Sequence, residues 1–133
     1  MTLRALSIVL LALAASACGS HSFEVEGRET QVNAWLTVPH LAEQGGRIDA
    51  LIYIGPYKLV QGPVVFQQGN PTVNLPPLFL RAGSYDAAAV LDGGRFSVRE
   101  RLDIESECWV QVVLRNNQIR IEFSERQPDA WGR

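Results

Sequence analysis

The sequence predicts an all-β fold, a small antiparallel β-sandwich or barrel of about seven or eight strands. Three observations carry that prediction. From Glu29 onward, apolar residues recur at every second position in most runs, which is the period of a strand with one buried face. Gly, Pro, Asn and Asp interrupt those runs at spacings of roughly 8 to 12 residues, as hairpin turns do. No stretch sustains the i, i+3, i+4 spacing of an amphipathic helix, although Asp86 to Leu91 is rich enough in alanine to leave a short helix open there. The scale fits one domain, since the chain has 133 residues, 47% of them hydrophobic and 20% charged. Twelve basic against fourteen acidic residues leave a net charge of −2 without a basic stripe, so an electrostatic grip on nucleic acid is excluded.

The elements begin with an address. Met1-Thr2-Leu3-Arg4 places one positive charge before the apolar run Ala5 to Ala15, which ends in small residues followed by Cys18. Residues 1–17 therefore read as a signal peptide. The run is shorter than the roughly 20 apolar residues that a permanent spanning helix needs. Ala15-Ser16-Ala17-Cys18 resembles a bacterial lipobox, which implies cleavage before Cys18 and acylation of its thiol. An ordinary A-x-A signal, cut at the same bond, is the alternative. On the lipobox reading the lipid rather than a peptide span holds the membrane, and several acyl chains make the anchor effectively permanent. Gly19 in the next position leans toward the outer membrane, with the protein facing the periplasm.

Residues 18–28 are polar and Gly/Ser-containing, a tether between Cys18 and a folded part expected over residues 29–123. Val32, Ala34, Leu36 and Val38 share one strand face, opposite Gln31, Asn33, Trp35 and Thr37, and Pro39 ends the run. Ile48, Ala50, Ile52 and Ile54 alternate with Arg47, Asp49, Leu51 and Tyr53 up to Gly55-Pro56. Leu59-Val60 and Val64-Val65-Phe66 form two short runs around Gly62-Pro63, and Gly69-Asn70-Pro71 follows as a turn. Val73 to Leu80 contains Pro76-Pro77 and belongs on an edge or in a loop, because proline cannot donate to a central ladder. Tyr85 to Leu91, the Asp92-Gly93-Gly94 turn and the Phe96, Val98 run make a hairpin. Cys108 to Arg115 and Ile119 to Phe123 make another around Asn116-Asn117, and residues 124–133 form a polar tail.

Little chemistry stands out. No catalytic signature is present, nothing implies a cofactor, and one Cys with two distant His does not supply a zinc site. His21 falls in the tether and His40 in a loop. Asp103-Ile104-Glu105-Ser106-Glu107 reads as a solvated turn, with calcium binding as the alternative. With Cys18 acylated, Cys108 is left without a disulfide partner and alternates with Val110, Val112 and Leu114 as a buried residue. Trp35 and Trp109 fall opposite the presumed core faces, where aromatics either pack across strands or anchor a partner, and Trp131 lies in the tail. Trp35, Leu51 and Tyr53 are the candidate partner-binding residues, expected on one face that accepts an amphipathic helix. An extended segment paired with the Val73 to Leu80 edge is the other mode.

Val32 to Pro39 (VNAWLTVP), Ile48 to Tyr53, Asn74 to Leu80 (NLPPLFL) and Tyr85 to Val98 (YDAAAVLDGGRFSV) carry a resemblance to the YscW/YbaY family of small lipoproteins, which includes type III secretion pilotins of the YscW and ExsB kind. The likeness covers roughly half of the chain beyond the signal peptide. It implies a β-sandwich without catalytic residues. It also implies delivery by the lipoprotein-sorting machinery and, as partner, a secretin subunit bound near its C-terminus. The rival reading is an inhibitor of a hydrolase (a lysozyme or peptidase) or another ligand-binding lipoprotein.

Overall fold

Pro39 stops the first strand because its ring fixes φ and leaves no N–H for a ladder. The chain then makes one 3-10 turn, Pro39–Leu41, and starts back. The computed structural model describes residues 28–128, so Cys18, the tether up to Gly27 and Trp131 lie outside the described residues. Eight strands follow one another: β1 (Glu29–Thr37), β2 (Gly46–Ile54), β3 (Tyr57–Phe66), β4 (Thr72–Arg81), β5 (Gly83–Leu91), β6 (Phe96–Ile104), β7 (Cys108–Arg115) and β8 (Gln118–Ser124). They form two four-stranded sheets, ordered β4-β1-β7-β8 and β3-β2-β5-β6. All neighbouring strands are antiparallel except β1 and β7, which run parallel. The molecule is a small β-sandwich.

The period-two residues meet between the sheets. β1 brings Val32, Ala34 and Leu36, β2 brings Ile48, Ala50, Ile52 and Ile54, and β7 brings Cys108, Val110, Val112 and Leu114 into one cluster. Ala87, Ala89 and Leu91 of β5 join them, so Asp86 to Leu91 is strand rather than helix. Each fully buried aliphatic side chain contributes about 1.5–3 kcal/mol, which makes this shared core the main source of stability. Cys108 has no exposed surface. Burial, with the Glu125 and Glu107 carboxylates nearby, pushes its thiol up to about 11.

The prolines sit where a missing donor does least harm. Gly62-Pro63 does not break the chain into two runs: both residues lie inside β3, an edge strand, opposite Ala50 and Asp49. Pro76-Pro77 forms a bulge in edge strand β4, since Val32 pairs with Leu78 but Ala34 with Leu75. Asp103 and Ile104, expected in a turn, belong to β6, and the connection to β7 is shorter than the sequence suggests. Asn116 and Asn117 take φ of 54° and 60°, the pair of left-handed conformations that a two-residue hairpin turn needs.

The end at which β1 begins is tied together locally. Glu29 pairs with Arg81. Tyr85 donates its hydroxyl to the Arg81 carbonyl at 2.6 Å, and the Gly55 N–H donates to the Asp86 carbonyl at 2.7 Å. Gly55 has φ +60°, and a Cβ there would lie 2.8 Å from the Tyr85 ring, so only glycine fits. The start of β1, the β2–β3 turn and the β4–β5 link thus share one end of the sandwich.

Candidate functional site

Alternation along β1 and β2 puts Trp35, Leu51 and Tyr53 outward, each half-buried. The sheets then separate them. Trp35 lies on the outer face of the β4-β1-β7-β8 sheet, whereas Leu51 and Tyr53 lie on the outer face of the β3-β2-β5-β6 sheet. The single face expected to bear all three does not exist.

The Trp35 side is largely closed. Thr37, Thr72 and Gln111 point outward from β1, β4 and β7, yet are only 5%, 8% and 6% exposed. They satisfy one another: Gln111 Nε2 donates to Thr37 Oγ1 at 2.6 Å, and the two threonine hydroxyls share a hydrogen bond at 3.0 Å. Val113 also faces away from the core cluster and is buried. Asn33 donates to the Glu107 carboxylate and the Cys108 carbonyl, which ties β1 to the start of β7. The Pro76-Pro77 bulge leaves a depression of about 250 Å³ beside Trp35, bounded by Asn33, Asn74 and Pro77. Trp109 is half-buried on the same face, opposite Asn33.

The other outer face is open and apolar at its centre. Leu51 pairs with Val90 and Tyr53 with Ala88, so two central strands place four apolar residues side by side. Gln61 and Lys58 flank them from β3, and Ser97 and Arg99 from β6. A solvated sheet face normally alternates to polar residues, which makes this block a departure needing a cause. Two shallow hollows adjoin it. One, of about 340 Å³, runs past Leu51 and Val90 over Gly62, Gly93 and Gly94, whose missing side chains form its floor and rim. The second, of about 380 Å³, lies between Tyr53, Ala88, Pro56 and Arg99. Ala88 and Val90 read in the sequence only as strand residues and Gly62, Gly93 and Gly94 only as turn or break residues, because their place beside Leu51 and Tyr53 depends on which strands become neighbours.

Among the described residues no group of three or more His, Cys, Asp or Glu is placed to hold a metal ion. Asp86 is paired with Arg101 at 3.0 Å and Asp92 with Arg95 at 3.7 Å, both on exposed surface. No family model matches the chain, and no curated protein or solved structure matches it either. What fold and site define is therefore a class: a two-sheet β-sandwich with one closed outer face and one open apolar face.

Proposed function

We propose that this chain is a lipid-anchored pilotin of the outer membrane, which binds a segment of a secretin subunit and promotes its localisation and multimerisation there. The observation that carries the reading is the apolar block Leu51, Tyr53, Ala88 and Val90 at the centre of the outer face of the β3-β2-β5-β6 sheet. The edges favour a face over strand addition as the docking mode. β3 is interrupted by Pro63 and by a bulge at Leu59, β4 by Pro76-Pro77, and β3 packs beside β4 as β6 does beside β8. A partner segment laid on the open face offers apolar side chains to Leu51 and Tyr53, with the hollows on either side taking its larger groups. The lipid on Cys18 then carries the bound subunit to the membrane.

The test is complementation of a deletion strain. Loss of the gene should reduce assembled secretin at the outer membrane. A Leu51→Asp, Tyr53→Ala double variant should fail to restore it while keeping its circular dichroism, and Trp35→Ala should restore it. Normal secretin multimers in a clean deletion strain without a paralogue overturn the reading.

A further inference from the structure

We propose that the open face selects a segment with a carboxylate beside its apolar side chains, and seats that carboxylate over Ala88 between Lys58 and Arg99. The inference rests on the reading above for where the segment lies, and adds the charge that the segment must carry. Register fixes the geometry. Lys58 stands opposite Tyr53, Tyr53 opposite Ala88, and Ala88 opposite Arg99, so one row crosses all four strands with a cation at each end. Neighbouring strands lie about 4.8 Å apart, which puts the backbones of the two cationic residues about 14 Å apart across the row. Ala88 has the smallest side chain of the four, and the hollow of about 380 Å³ opens there, bounded by Tyr53 and Arg99. Both cations are exposed, and neither makes an ion pair with another described residue. Lys58 donates to the side-chain carbonyl of Gln61, which stands opposite Leu51, so its ammonium lies along the rim of the apolar block.

Charge complementarity names the occupant. The acidic groups of this face are engaged elsewhere or lie at its far end. Asp86, which also lines the hollow, is paired with Arg101 at 3.0 Å, and Asp92 in the β5–β6 turn is paired with Arg95. Asp103 accepts from the Ser84 hydroxyl, while Asp49 lies beyond Leu51 on the side away from Tyr53, with Arg47 on the same strand face. Two positive charges are therefore in surplus around Tyr53 and Ala88. A segment that covers the apolar block strips water from both, and a cation left uncompensated at a dry rim opposes binding. A carboxylate between them gains from each, whereas a wholly apolar or basic segment gains from neither. Charge thus decides which apolar segment the face keeps.

The test reads the preference with probes of known composition. The full chain, solubilised in mild detergent and immobilised, is offered short random peptides displayed on phage. Peptides retained by the parent should be several-fold enriched in Asp and Glu next to apolar residues, relative to the unselected library. The Lys58→Glu, Arg99→Glu variant should turn that preference to Lys and Arg, and the milder Lys58→Gln, Arg99→Gln should lose it without gaining the opposite one. Arg47→Glu should keep the parent's preference, and Leu51→Asp, Tyr53→Ala should release the selected peptides. Retained peptides without acidic enrichment, an unchanged preference in both double variants at Lys58 and Arg99, binding that survives Leu51→Asp, Tyr53→Ala, or no retained peptide at all overturns the proposal. The deletion strain separates this proposal from the pilotin reading. Secretin multimers lost with Leu51→Asp, Tyr53→Ala but kept with Lys58→Glu, Arg99→Glu overturn the carboxylate alone, whereas normal multimers without the gene overturn the pilotin reading and leave the peptide selection to decide this one.

Discussion

Thr37→Val tests whether the buried Thr72–Thr37–Gln111 row holds three strands together. Valine keeps the shape but removes the oxygen that accepts from Gln111 Nε2 at 2.6 Å and bonds the Thr72 hydroxyl at 3.0 Å. Every buried side-chain polar atom among the described residues is satisfied, so the loss is not absorbed by a spare partner. Stranding a buried amide donor costs about 1–3 kcal/mol, and the lost hydroxyl bond adds about 0.5–1.5 kcal/mol. A destabilisation of roughly 2–3 kcal/mol lowers Tm by about 10–20 °C in a domain of this size. Gln111→Leu alone should cost less, because Thr37 keeps Thr72. The Thr37→Val, Gln111→Leu double variant should be more stable than Thr37→Val, since both ends of the bond are then apolar, with a coupling of about 0.5–3 kcal/mol. Urea titrations followed by tryptophan fluorescence and far-ultraviolet circular dichroism read all four corners of the cycle. Strictly additive single variants, or Thr37→Val within about 0.5 kcal/mol of the parent, would refute the reasoning.

Two further outcomes are expected. The Cys108 thiol, ordinarily near 9.0, titrates at about 11 when folded, so its contribution is complete below pH 9 and lost as pH rises to 11. That loss is of order 2 kcal/mol. It appears as a fall in stability over this window that Cys108→Ala does not show, and a native thiol that reacts rapidly with a bulky maleimide at pH 8 contradicts it. Gly55→Ala forces a side chain into a left-handed backbone and against the Tyr85 ring, which should cost about 1–3 kcal/mol. Chemical denaturation measures it, and a shift smaller than that of a surface alanine substitution would show that the turn can relax.

Period two reveals which side of a strand faces the core, and β1 and β2 obey it almost residue for residue, whereas in β7 the outward-facing Gln111 and Val113 are buried as well. It does not reveal which sheet a strand joins. Trp35 and Tyr53 are both outward by alternation, yet β1 and β2, consecutive in the chain, stand in opposite sheets. The apolar block needs β5 beside β2 to bring Val90 to Leu51, a pairing across a gap of some forty residues that no local pattern encodes. Pro63 misled for a related reason. A proline looks like a strand breaker until the strand is known to have a neighbour on one side only. The left-handed Asn116-Asn117 turn was legible because turn chemistry is local.

The parallel pairing of β1 with β7 has a consequence for how the molecule comes into being. A hydrogen bond between the two strands joins residues 74 apart in the chain, and the whole β3-β2-β5-β6 sheet intervenes in sequence. That sheet is built from the β2–β3 and β5–β6 hairpins joined by the β2–β5 pairing, and all its strands precede β7 in the chain. Its partner sheet consists of β4 and β1 alone until the last hairpin, β7 and β8, arrives. A polypeptide delivered from its N-terminus must therefore leave one backbone edge of β1 unpaired until β7 is through, and the large sequence separation of that pairing makes the closing step slow. Truncation before Cys108 would leave a permanent open edge at β1. The domain therefore folds late or not at all, and the interval before closure is when it is most prone to pair with another chain.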